Sequence, residues 1–293
     1  MPRKSAGLPA TLIPSLFVVI WATGFVTARL VAPHAEPLAF VAVRVVVTAL
    51  VLAAISAANG VRWPKLDGWR NALIAGVLMQ GFYVAGVFWS VHRGLPAGIA
   101  ALVGSLQPLL TAAIAGPLLG ERVAGRRWAG IGAGFLGAGL VLAPKLGAVD
   151  ASGIPPVALA VCLAAMVAMT LGTLWQKRTA GGTDLLANAT IQFTGASLLM
   201  LPMAALFGDW HADLGWSLGL GFAWSVLGNS VAGILLLMAL IRRGAVAGVA
   251  SLLFLVPPVS ALMAYAMFGE ALSPIQIAGM AVAAAGVALA SRG

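Results

Sequence analysis

The stretch RGLPAGIAALVGSLQPLLTAAIAGPLLGE, Arg93 to Glu121, returns later in the chain as RGAVAGVASLLFLVPPVSALMAYAMFGE, Arg243 to Glu270. Aligned at Arg93 and Arg243, the copies share the opening Arg-Gly, a second glycine (Gly98, Gly248), a central proline (Pro108, Pro258) and a closing Gly-Glu. One deletion in the second copy absorbs the difference in length. The match continues from Gly130 to Gly279 and from Gly137 to Gly286. A repeat of roughly 150 residues in a 293-residue chain divides it into two halves, 1–148 and 149–293, of one integrated transmembrane domain.

Composition sets the medium. At 61% hydrophobic and 9% charged residues, with a mean hydropathy of +1.02, the chain has too little polar side chain to coat a soluble globule. In lipid every backbone polar group must be satisfied internally, which leaves a helix bundle or a closed barrel. The apolar runs are about 20 residues long and do not alternate, so the expectation is an all-α integral membrane protein. Ten spans are read at roughly 10–31, 38–58, 70–92, 96–119, 127–143, 153–176, 185–207, 215–241, 245–268 and 273–291. Turn formers separate them, among them Asn59-Gly60, Gly181-Gly182 and Ser273-Pro274. The first run follows Arg3 and Lys4 in the manner of a signal peptide, but it is long, lacks a small-residue cleavage site and completes the first half.

The distribution of Lys and Arg orients these spans. Thirteen of the 17 fall on one side: Arg3, Lys4, Arg62, Lys65, Arg70, Arg122, Arg126, Arg127, Lys177, Arg178, Arg242, Arg243 and Arg292. Only Arg29, Arg93 and Lys145 fall on the other, and Arg44 lies inside a span. The positive-inside rule then puts both termini in the cytoplasm, and the net charge of +9 reflects this bias and contact with anionic lipid, with no nucleic acid as partner. Five spans in each half are an odd number, so the halves lie in opposite orientations. Inverted-topology repeats are a recurrent architecture of secondary transporters, with the substrate site near the midplane.

The doubled pattern of Arg-Gly, a small-residue helix with a central proline, Gly-Glu and a glycine-bearing last helix resembles the EamA-type domain of the drug/metabolite transporter superfamily. WATGFVTAR (Trp21–Arg29) and PLAFVAVRVVVTALVL (Pro37–Leu52), with an arginine inside the second helix, are also similar to that family. The resemblance spans essentially the whole chain. It implies a ten-helix carrier that exports amino acids or other metabolites across the bacterial inner membrane. Among such exporters the chain is most similar to those for aromatic or neutral amino acids.

The eight acidic residues all fall in loops or at span ends. A proton antiporter needs a titratable group within the membrane. Small-multidrug relatives place a glutamate in the first helix, where this chain has Trp21, Thr23 and Gly24. Facilitated diffusion is therefore the expectation, with a proton-coupled drug or metabolite exporter as the alternative. A membrane-embedded enzyme or a lipid-linked flippase component is the rival class. An enzyme would gather acids and histidines at one interface, whereas here they are scattered over both.

The candidate substrate-binding residues are Trp21, Arg44, Gln80, Tyr83, Gln107, Trp175, Asn229 and Tyr265. Arg44 is the one cation inside a span. It either meets a substrate carboxylate or ties helix ends through backbone carbonyls. Gln80, Gln107 and Asn229 are amides that need partners or a wet cavity in hydrocarbon. Gln192 sits where the repeat places the counterpart of Arg44, and packing serves it as well as contact does. The aromatic candidates would stack on apolar substrates or face an ammonium group. Trp21 and Trp175, on equivalent helices, are expected to turn towards a common cavity. Gly94, Pro108, Gly244 and Pro258 are read as hinges. The glycines from Gly130 to Gly139 offer close packing within the chain or dimerisation, and the chain is read as a monomer or weak homo-oligomer. With no metal spacing, P-loop or catalytic serine motif, no cofactor, metal or catalytic residue is expected.

Overall fold

The repeated Gly-Glu pair marks a helix end. In the computed structural model, which describes residues 12–31, 33–95, 97–120, 123–146, 154–244, 246–269 and 271–291, Gly120 and Gly269 both take the left-handed conformation, with φ of +70° and +68°. Their amides donate to the carbonyls of Gly116 at 2.9 Å and Tyr265 at 3.0 Å. Glycine meets this geometry without strain, and that is why the motif recurs. Glu121, Glu270, both termini and the boundary expected at 148/149 lie outside the described residues.

Among the described residues the fold is helical, apart from one isolated antiparallel bridge between Ala35 and Ala212. The first half runs α1 (Ile13–Val31), α2 (Pro37–Ala58), α3 (Leu66–Gly76), α4 (Tyr83–His92), α5 (Ala97–Gly104), α6 (Gln107–Leu119) and α7 (Gly125–Leu146). The second runs α8 (Pro156–Thr179), α9 (Leu185–Phe207), α10 (Trp216–Trp224), α11 (Gly233–Arg243), α12 (Val246–Ser251), α13 (Val256–Phe268) and α14 (Pro274–Ser291). Acidic residues start some of these helices: Glu36 accepts from the amides of Leu38 and Ala39, and Asp184 from those of Leu186 and Ala187. Ser273 and Gln276 exchange bonds as a capping box at the head of α14.

Among the described residues eight stretches are long and apolar enough to cross a membrane: Pro37–Ala58, Leu66–Val91, Ile99–Leu119, Pro156–Thr179, Leu185–Phe207, Trp216–Arg243, Val246–Met267 and Pro274–Ser291. Two of the ten expected spans fall short of that measure. In α1 the apolar stretch among the described residues is Ile13–Gly24, and α7 is diluted by glycines and by Arg126 and Arg127.

Four of the long stretches are not single α-helices. A π-helical segment, Val77–Phe82, joins α3 to α4, and a second, Ser225–Ala232, joins α10 to α11. At the 150-residue offset of the repeat their last residues coincide. The other two break beside the shared proline. α5 stops at Gly104 and α6 restarts at Gln107, with Pro108 in its first turn. The 3₁₀ turn Leu252–Leu255 separates α12 from α13, with Pro257 and Pro258 at the restart. A proline in a first turn lacks only an amide that would have no partner there.

The tightest packing is between α7 and α14, which run antiparallel. A Cβ added at Gly130 would lie 2.6 Å from the Gly286 carbonyl, and one added at Gly279 would lie 2.8 Å from the Gly137 carbonyl. The equivalent pairs Gly130/Gly279 and Gly137/Gly286 thus exchange partners across the seam. Gly134, Gly137 and Gly286 also meet side chains or backbone too closely for a methyl group. The α2–α9 contact is antiparallel as well, with Ser56 and Thr190 hydroxyls 3.2 Å apart. The largest apolar core, around Phe17, Leu52 and Phe193, is drawn from both halves.

Candidate functional site

Polar groups, half-buried apart from the buried Ser230 and the exposed Trp224, gather where α1 and α2 meet the second π segment. The Thr23 hydroxyl donates to the Ile20 carbonyl at 2.6 Å and accepts from Trp224 Nε1 at 2.8 Å. Asn229 Nδ2 donates to the same Ile20 carbonyl at 2.7 Å and to Thr23 Oγ1 at 3.2 Å. Gly24 lies beside this contact: a Cβ added there would stand 3.4 Å from Asn229 Nδ2, an ordinary van der Waals distance. A carbonyl accepts and never donates, so the Ile20 contact fixes which way the Asn229 amide points. Its Oδ1 is then left buried without a partner. One residue on, the Ser230 hydroxyl accepts from Arg44 Nε at 2.8 Å. A π turn widens the helix and is common at functional positions; here it places Asn229 and Ser230 against different helices, α1 and α2.

Among the described residues the Arg44 guanidinium has no carboxylate within ion-pairing distance and no hydrogen bond beyond Ser230. A guanidinium has five N–H donors, so most of its capacity is unused.

The other expected site residues distribute as follows. Gln80 and Gln107 are buried, at 5% and 4% exposure, and neither amide bonds to a described residue. Gln80 lies in the first π segment, equivalent to Ser230 at the repeat offset. Tyr83 packs between the main core and a smaller cluster around Leu95, Val103 and Cys162. Trp21 meets Phe17 in a tilted ring contact, centroids 5.2 Å apart, and lies beside Gly233, within reach of the Thr23 cluster. Trp175 is half-buried with its Nε1 unpaired, and it packs on none of the core clusters that hold Trp21. Tyr265 is 55% exposed and stands outside the packed interior. Gln192 is fully buried; its Nε2 donates to Gln176 and Asn188, while its Oε1 is buried without a partner.

Of the four residues read as hinges, Gly94 has φ +93° and closes the α4 turn. Gly244 is extended, with φ −130°. Its carbonyl and that of Ile241 accept from Lys177 Nζ at 2.8 and 2.7 Å. Arg242 returns the contact, donating to the Ala180 carbonyl beyond the end of α8 at 3.3 Å. Two helix C-termini therefore carry each other's cations, a favourable arrangement for the helix dipole.

Two grooves open between helices away from this cluster. One of about 440 Å³ is lined by Phe82, Trp89, Arg93, Met203 and Phe207, and one of about 370 Å³ by Phe40, His211, Leu218 and Phe222. Neither contains a residue expected from the sequence, and both are faced by exposed aromatic and aliphatic side chains.

Thr23 and Ser230 are the functional candidates that the sequence reading passed over. Ser230 was within reach: it takes the place of Gln80 in the second copy.

The repeated halves and the membrane-length helices define a multi-pass membrane protein. The chain belongs to the EamA-like transporter family, which matches residues 9–143 and again 156–292. A member of such a family works in a lipid bilayer on a small-molecule substrate. The chain is 26% identical over 276 residues to the uncharacterized inner membrane transporter YedA of Escherichia coli K12, covering 94% of this chain and 88% of YedA. It is 24% identical over 284 residues to the uncharacterized transporter YvbV of Bacillus subtilis, covering 93% and 89%. To a probable amino-acid metabolite efflux pump of Salmonella typhimurium it is 26% identical over 286 residues, covering 93% and 91%. A solved crystal structure superposes with a TM-score of 0.81 at 21% identity, covering 97% of both chains, a likeness that shows the fold.

Proposed function

We propose that this protein is a secondary transporter that exports small amphipathic metabolites, aromatic or neutral amino acids foremost, across the inner membrane by alternating access. The chain crosses ten times, as two inverted repeats, 1–148 and 149–293, with both termini cytoplasmic. The observation that carries the reading is the antiparallel α7–α14 seam, in which Gly130 meets Gly286 and Gly137 meets Gly279. Equivalent helices of two halves in the same orientation would run parallel; antiparallel ones belong to halves related by an axis in the membrane plane, the relation alternating access uses. The Salmonella relative's name supports the substrate class. Trp21, Arg44, Gln80, Tyr83, Gln107, Trp175 and Asn229 line the path, and Tyr265 is left out because of its exposure. The breaks beside Pro108 and Pro258, with the turns at Gly94 and Gly244, are the flexing points.

Transport proceeds by facilitated diffusion, because the described acids serve as helix caps, as Glu36 and Asp184 do, form exposed contacts, as in Asp67–Arg70 and His211–Asp213, or stand exposed, as Asp209 does. The test is purified protein in liposomes with a panel of amino acids, with and without an imposed proton gradient. Flux of phenylalanine or leucine down its own gradient is expected. Flux only under a proton gradient would establish the coupled exporter instead, and flux of another solute class alone would remove the substrate assignment.

A further inference from the structure

We infer that Arg44, aimed by Ser230 and flanked by Asn229, is the carboxylate-recognising element of the transport path, so that substrates are selected by a free carboxylate. The inference rests on the transporter reading and deepens it.

The argument begins with what Arg44 lacks. A guanidinium within a membrane-length helix loses several kcal/mol of hydration unless it is paired. Its protein bonding is one contact to a neutral hydroxyl, Nε to Ser230 Oγ at 2.8 Å, and Ser230 is itself fully buried. A purely structural tie of this kind is served as well by an uncharged donor. The charge and the remaining N–H fork serve something else, and a planar fork matches a carboxylate in bidentate geometry.

The second observation is independent and of opposite polarity. Asn229, adjacent to Ser230 in the π segment, holds its Nδ2 on Ile20 and Thr23 and leaves Oδ1 a buried acceptor without a donor. One segment thus presents an unpaired acceptor next to a residue that aims an unpaired cation. An α-amino acid carries both complements on neighbouring atoms: its carboxylate satisfies Arg44, and its ammonium satisfies Asn229 Oδ1. A solute with only the ammonium leaves the guanidinium, half-buried within a membrane-length helix, without a counter-charge, which is the more costly omission.

Proteoliposomes carrying the wild type, Arg44→Gln, Arg44→Lys and Ser230→Ala are compared for flux of phenylalanine, phenylalaninamide and 3-phenylpropionate. Thermal stabilisation of the same proteins in detergent by each compound is measured alongside, after gel filtration confirms that each variant is monodisperse. Wild type is expected to prefer phenylalanine over its amide by about tenfold or more. Arg44→Gln abolishes that preference, Arg44→Lys restores part of it, and Ser230→Ala lowers it by about threefold. Phenylpropionate stabilises the wild type but not Arg44→Gln. If nothing in the panel is transported while carboxylate-dependent stabilisation persists and vanishes in Arg44→Gln, the transporter reading fails and the carboxylate site stands. If Arg44→Gln keeps the wild-type ratio and the wild-type stabilisation, the inference is overturned. Should Arg44→Gln fail to remain monodisperse, Ser230→Ala decides: an unchanged ratio overturns the inference.

Discussion

The two π segments, Val77–Phe82 and Ser225–Ala232, sit at equivalent places in the two halves and do different work. In the first, Gly81 faces Leu199, whose Cδ2 would be 2.8 Å from an added Cβ, and Met79 fills the notch at Gly172. Those contacts with α8 and α9 are apolar. In the second, Asn229 and Ser230 reach α1 and α2 through hydrogen bonds. The backbone deviation is common to both copies while the chemistry is confined to one. A π turn in both halves therefore answers to the fold, which needs the helix face redirected midway. The polarity of the second copy answers to recognition.

This contrast can be broken in order of effect. The largest change is expected from Gly137→Leu, which forces a side chain into the α14 backbone that both halves share. Overpacking against main chain has no rotamer that relieves it, so destabilisation of about 3 kcal/mol or more is expected, read as lost monodisperse protein or a lower melting temperature. Gly139→Leu, at a position where nothing lies within 4 Å of an added Cβ, is expected to stay within about 0.5 kcal/mol of wild type. Next is Asn229→Ala. It frees the Ile20 carbonyl and weakens the Trp224–Thr23–Asn229 group, at about 1–3 kcal/mol, and KM for a transported amino acid should rise more than kcat changes.

A smaller effect is expected from Lys177→Ala. Removing the cation from the α11 terminus costs about 1 kcal/mol, and Arg242→Ala should add little in the double variant, because the two cross-caps join the same pair of helix ends. Strict additivity in a double-mutant cycle would show that the caps act separately. The smallest change is expected from Gln80→Leu, which lines the path from the first half with no described partner for its amide: stability within about 1 kcal/mol of wild type, and flux lowered a few-fold at most, well short of the loss in Arg44→Gln. A tenfold loss of flux there would move recognition into both halves and end the contrast.

Much of this was legible in the chain itself. The repeat showed in Arg93–Glu121 and Arg243–Glu270 because glycine and proline positions obey backbone geometry, and geometry recurs when a fold recurs. The Ser273 helix start and the close-packing reading of Gly130 and Gly137 rest on the same logic. The π segments were not legible, since inserting one residue into a uniformly apolar helix leaves no periodic trace. The site was harder still. Gln192 and Arg44 looked alike as interior polar residues, and only their surroundings separate them: Gln192 finds Gln176 and Asn188, whereas Arg44 finds one hydroxyl. Trp21 and Tyr265 were both aromatic candidates, and burial distinguishes them.

The α7–α14 seam also bears on how such a chain is assembled. Because Gly130 meets Gly286 while Gly137 meets Gly279, each half presents to the other the surface it receives, as in an isologous dimer interface. A self-complementary surface of that kind is indifferent to covalent order. A permuted chain beginning in the second half is expected to close the same seam, since a single repeat already carries both sides of it.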